Sequence, residues 1–118
     1  MTRINAQARA VYESEMQAAR ATASAEQRWH HLERAHIVSQ PDPWLHTCNH
    51  AAMLRLALRQ RDRREAIGQV IRIVVAAPGS LTGRYPEGNT GRVAAGLTTP
   101  MPMPPDLAAA LGTRSSVG

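Results

Sequence analysis

The stretch Ser39-Gln40-Pro41-Asp42-Pro43 constrains this chain more than any other. Pro41 disfavours helical geometry at Gln40, so a helix approaching from the N-terminal side must end there. Asp42 followed by Pro43 is a start signal: a side-chain cap, then a proline in the first helical turn, where its missing N–H costs nothing. A helix stop and a helix start this close together make two antiparallel neighbours. The flanking sequence agrees on both sides. Ser24, with Gln27 three residues on, has the form of a capping box, and the helix it opens should run to about Val38. The helix after Asp42 should reach about Gln60.

The rest of the chain extends the pattern. Asn5 to Arg20 is alanine-rich and reads as a helix, with Ala21 to Ser24 as a short break. Asp62-Arg63-Arg64-Glu65 again has capping-box spacing, so a fourth helix should begin there and end at Pro78-Gly79. One long helix from Pro43 to Ala77 is the alternative. After Gly79 the chain is rich in Gly, Pro and Thr, and Glu87 to Gly91 is turn chemistry. Asp106 is placed to cap a last short helix. The expected architecture is all-α: a small bundle of about four helices over residues 5–77, with an irregular Gly/Pro-rich C-terminal arm over 78–118, in a single domain of 118 residues.

Composition fits close-packed helices. There are 20 alanines, only 21 Leu, Ile and Val together, and no Phe. Alanine has the highest helix propensity and lets helix axes approach. So thin a core is often completed by a second subunit, and a homodimer is the expected assembly. The chain carries 14 arginines, no lysine and nine acidic residues, for a net charge of +5. The arginines are dispersed and only four aromatics could stack on bases, which argues against nucleic acid as the partner. The densest basic run, Arg55 to Arg64, reads as a solvated helix end. Cys48 is the only cysteine, which rules out an intrachain disulfide. The N-terminus lacks the apolar core of a signal peptide and no apolar run approaches a membrane span, so the expected location is cytoplasmic, without a membrane partner.

All five histidines lie between Trp29 and His50, across the Pro-Asp-Pro turn. Residues three, four and seven apart share a helix face. Trp29, Leu32, Glu33 and His36 therefore share one side of the second helix, and His46, His50, Met53 and Ala57 one side of the third. The apolar members mark both faces as buried, where an unpaired charge is costly. With the turn centred near residues 40 and 41, His36 lies opposite about His46, and Glu33 opposite about Asn49 and His50. Glu33, His36, His46 and His50 are the candidate metal ligands. Imidazole with carboxylate suits zinc, iron, nickel or manganese. Glu-x-x-His is also half of the ligand set of carboxylate-bridged dimetal bundles.

The same residues can form a polar network that fixes helix register without metal, leaving a non-catalytic helical interaction module. No metalloprotease reading follows, because position 47 is threonine rather than the glutamate of His-Glu-x-x-His. His30 and His31 point away from His36 and should face solvent. Cys48 should be a small buried apolar residue. Glu65 is explained by its capping box, Glu65, Gln69 and Arg72 by a solvated stripe, and Glu15 either approaches the cluster or pairs with an arginine.

Leu32-Glu33-Arg34-Ala35-His36, His46 with His50 and Met53, Gly68-Gln69, and Pro86 to Gly91 together resemble a bacterial family catalogued as domain of unknown function 3703. The resemblance covers about Glu15 to Leu111. It implies a small helical protein and points to the same His/Glu positions, and it brings no established activity with it.

Overall fold

In a computed structural model, residues 4–76, 92 and 101–112 are described. Four helices follow in order: α1 (Ala6–Ala21), α2 (Ala25–Ser39), α3 (Pro43–Arg59) and α4 (Arg63–Ile71). A single π-helical turn, Arg72–Ala76, continues α4, and a short helix, α5 (Pro105–Leu111), closes the described chain. The described residues contain no strand. The expected all-α bundle is what forms. The Gly/Pro-rich stretch lies outside the described residues apart from Arg92 and residues 101–104.

The starts of α1 to α4 are each set by a short polar side chain. Asn5 Oδ1 accepts from Ala8 N at 2.8 Å, and Ser24 Oγ accepts from Gln27 N at 3.4 Å. Asp42 Oδ1 takes both Trp44 N and Leu45 N at 3.1 Å, and Asp62 Oδ1 takes Glu65 N at 3.0 Å. These bonds satisfy backbone donors that have no partner within the helix. The expectation fails at Asp106, which sits inside the first turn of α5 with Pro104 at the cap position and no capping side-chain bond. Its carboxylate instead meets Arg34.

The choice between one long helix and two is resolved at Arg61. Asp62 N bonds to Ala57 O at 2.9 Å and Arg61 N to Leu58 O at 3.1 Å, while Arg61 takes the left-handed conformation at φ 57°. This is the double hydrogen bond of a Schellman ending, which reverses the chain so that α4 folds back along α3.

The core lies in two patches. Ala19, Trp29, Leu32, Met53, Leu56, Ala57 and Ala66 join α1 to α4. Tyr12, Ala35, Ile37, Val38, Leu45 and Leu107 join α1, α2, α3 and α5. Tyr12 also donates its hydroxyl to Leu45 O at 3.2 Å, and Asn49 Nδ2 donates to Leu32 O at 2.9 Å. Both bonds fix the register of α3 against its neighbours.

A buried three-histidine centre

The Pro-Asp-Pro turn places His36, in the last turn of α2, opposite His46 and His50, one turn apart at the start of α3. Their Nε2 atoms form a nearly equilateral triangle: 3.1 Å from His36 to His46, 3.2 Å from His36 to His50 and 3.0 Å from His46 to His50. The three rings are 3%, 2% and 0% exposed, so water does not solvate this triangle from outside. Burial disfavours the protonated form of His46 and His50. The pKa of His46 is lowered to about 3, by burial first and then by His50. That of His50 is lowered to about 4, by burial first, with Arg72 adding to the effect and the Gln69 bond opposing it.

A second observation fixes the tautomer of His50. Glu65 is a buried carboxylate, 5% exposed, and its Oε2 accepts from Gln69 Nε2 at 2.8 Å. The amide nitrogen of Gln69 therefore faces Glu65, and its Oε1 faces His50 Nδ1 at 2.7 Å. A carbonyl oxygen can only accept, so His50 carries its proton on Nδ1 and presents the Nε2 lone pair to the triangle. Arg92 Nε donates to Glu65 Oε1 at 3.2 Å, its guanidinium stacks 4.1 Å over the Trp29 ring, and Arg72 Nη2 donates to Arg92 O at 2.9 Å.

Protons alone cannot satisfy such a triangle. Each Nε2 is either an N–H or a lone pair, so among three mutual contacts at least one joins two like groups. A cation in reach of all three removes the conflict. A tetrahedral zinc ion with Zn–N bonds of about 2.0–2.1 Å spaces its ligand nitrogens about 3.3–3.4 Å apart. The observed 3.0–3.2 Å lies within a few tenths of that spacing. Among the described residues, His36, His46 and His50 are the one such group of ligand-bearing side chains that could hold a metal ion.

The structure brings together three of the four residues singled out from sequence. Glu33 lies outside this group. It is half-buried, with its carboxyl pKa raised, chiefly by burial and also by Glu65, against the opposing charges of Arg92 and His30. His30 is exposed as expected, but His31 is half-buried and contacts Glu15 Oε2 at 2.7 Å through Nδ1. Glu15 also accepts from Arg34 Nε at 3.1 Å, so it pairs with an arginine rather than approaching the cluster. Cys48 is half-buried.

The largest departure concerns Glu65, Gln69 and Arg72. Sequence polarity places them on a solvated stripe, yet they are 5%, 0% and 5% exposed. Gln69, one turn further along α4 than Glu65, bonds both Glu65 and His50. The signal that could have found this is the spacing itself: three polar residues at i, i+4 and i+7, with Ile67, Val70, Ile71 and Val74 on the other side of the helix.

The model of a family described as "Protein of unknown function (DUF3703)" matches residues 6–111, and the chain belongs to that family. No curated protein and no solved structure matches. No helix among the described residues is long and apolar enough to cross a membrane.

Proposed function

We propose that this DUF3703 protein binds one transition-metal ion through Nε2 of His36, His46 and His50. The observation that supports this most directly is the Nε2 triangle, whose edges suit ligation of one ion and whose hydrogen bonding cannot be completed by protons alone. A neutral, all-imidazole donor set suits zinc, copper, iron or nickel better than the hard cations that take carboxylate and carbonyl oxygen. Gln69 and Glu65 act behind it, as the outer partners that orient a ligating imidazole and raise its basicity. A site of three protein ligands leaves a position for water or another small donor, the arrangement of catalytic rather than structural zinc centres. Glu33, one turn before His36, is the nearest sequence candidate for a further ligand.

The test is calorimetric titration of untagged protein with Zn(II), Ni(II) and Fe(II). One ion per chain is expected. His36→Ala, His46→Ala and His50→Ala should each abolish tight binding, while His30→Ala should bind as the wild type does. Glu33→Gln is expected to keep the ion, with a loss smaller than that of any of the three histidine variants. Wild-type protein that takes up no transition metal, or a His30→Ala loss as large as that of His36→Ala, would overturn the reading.

A second reading, a homodimeric interaction module, is favoured by one observation. Ile67, Val70, Ile71 and Val74 form an exposed apolar stripe along α4 and its π-helical turn, 47–68% exposed. The stripe carries no charge, so a second copy of itself opposes it without repulsion, as a two-fold interface requires. Sedimentation should give a dimer that Val70→Glu converts to a monomer. A wild-type monomer at high micromolar concentration would remove this reading.

A further inference from the structure

Away from the histidines, α1 and α3 leave a cleft between them. They touch where Tyr12 bonds to Leu45 O and where Asn49 approaches Met16 Sδ at 3.6 Å. Beyond those contacts a cavity of about 530 Å³ opens over α2. That is within the size range of small-molecule sites. Its apolar lining comes from Met16, Ala19, Leu32, Ala52 and Leu56, and its charged lining is Arg20, Arg28, Arg55 and Arg59, with no acidic residue on the wall. Among the described residues, Arg20, Arg55 and Arg59 have no carboxylate partner, and the Arg28 guanidinium donates to Thr22 O rather than to a carboxylate.

Helix electrostatics explain only part of this. Arg20 and Arg59 lie in the last turns of α1 and α3, where a cation is favourable. Arg28 lies in the opening turn of α2, where a cation is unfavourable, but its bond to Thr22 O at the C-terminal end of α1 offsets that cost. Arg55 and Arg59 are a like-charge pair four residues apart on one helix, which also costs stability. Four cations from three helices around one apolar cavity, with a like-charge pair among them and no carboxylate on the wall, call for a negative charge attached to an apolar body.

We infer that the α1–α3 cleft is a binding site for a small amphiphilic organic anion, an alkyl or aryl body bearing a carboxylate or phosphate. The head group meets the arginine fork in the charge-assisted, bidentate geometry that guanidinium favours. The apolar body displaces water from Met16 and Ala52, the half-buried apolar part of the wall. Cys48, Ala52, Arg55 and Arg59 lie on a different side of α3 from His46 and His50, so this site stands apart from the metal reading and does not rest on it.

Decanoate, decyl phosphate, decanol and decyltrimethylammonium, each below its micellar concentration, test the inference by titration calorimetry on the full chain. One or both anions should bind at one per chain, the stronger identifying the head group, and the alcohol and the cation should bind at least about tenfold more weakly, the scale of a lost charge-assisted contact. Arg55→Glu with Arg59→Glu changes only exposed side chains and should weaken the anions by about tenfold or more, reducing the salt dependence too. Ala51→Trp, an exposed wall position, should block the cleft. Bound anion should slow maleimide labelling of Cys48, which lines the cavity. Metal stoichiometry should be unchanged in both variants, so failure here and failure of the metal reading are separable. Equal binding of decyltrimethylammonium, unaltered affinity in the double variant, no anion binding, or a dimer interface that fills the cleft would each overturn it.

Discussion

At the scale of single residues, the histidine triangle is governed by what stands behind it. His50 has one ring nitrogen for the centre and one for Gln69, and the direction of the Gln69 amide is dictated by Glu65. Gln69→Leu removes the acceptor that holds the Nδ1 proton and leaves a buried N–H without its bond. Metal affinity should fall by about 10–100-fold, the usual effect of losing an outer-shell partner. Gln69→Leu with wild-type affinity, measured by chelator competition, would detach the relay from the centre. The same histidines also set the response to acid. Their folded pKa values, about 3 for His46 and about 4 for His50, lie below the ordinary 6.5 of an unfolded histidine. Between those limits the unfolded chain binds more protons, so stability is complete above pH 6.5 and falls as the pH drops towards 4 and then 3. Metal-free wild-type protein should therefore show a urea midpoint that declines through this window, and His46→Asn a shallower decline. A midpoint flat from pH 7 to pH 5 would contradict the burial of neutral histidines.

At the scale of elements, what was legible in the sequence is what short-range chemistry decides. Ser24, Asp42 and Asp62 open helices because a side-chain oxygen can reach a backbone N–H two or three residues on, and that reach is local. The register across the Pro-Asp-Pro turn was legible too, because the turn is short enough to leave little freedom in pairing His36 with His46. The inward turn of Glu65, Gln69 and Arg72 was not, because a polar side chain is buried only when partners from elsewhere complete its bonds. Those partners, His50 and Arg92, lie 19 and 27 residues away along the chain from the residues they meet. The α3–α4 junction offers an element-scale prediction. Arg61 holds a left-handed conformation, at φ 57°, that a side chain disfavours. Arg61→Gly relieves that cost, and its greater freedom in the unfolded chain offsets part of the gain, leaving about 0.5–1 kcal/mol. The melting temperature should rise by a few degrees. A fall would mean that the Arg61 side chain makes a stabilising contact that outweighs the backbone strain.

At the scale of the whole molecule, α5 brings the C-terminal part of the described chain back onto its beginning. Leu107 is fully buried in the patch shared with Tyr12, Ala35 and Val38, and Met103 packs against the same patch. Gly112, just past the end of α5, lies beside Asn5, the cap of α1: a Cβ there would sit 3.8 Å from Asn5 Nδ2. Polar contacts add a second tie, since Arg34 joins Glu15 of α1 to Asp106 of α5. Asp106 is 62% exposed, and an exposed ion pair contributes no more than about 1 kcal/mol. Truncating a buried leucine costs about 2–5 kcal/mol through lost burial and the cavity left behind. Apolar packing should therefore hold the end of the chain, with the ion pair setting the angle at which it docks. Leu107→Ala should lower unfolding stability by at least twice as much as Asp106→Ala in urea titrations. In a domain of this size, whose total stability is on the order of 5–15 kcal/mol, the first loss takes a large share of the whole. Because Leu107 is not among the side chains of the histidine centre, metal stoichiometry below the unfolding transition should stay at the wild-type value. Equal losses in the two variants would mean that the Glu15–Arg34–Asp106 bridge, and not the buried leucine, fastens α5 to the bundle.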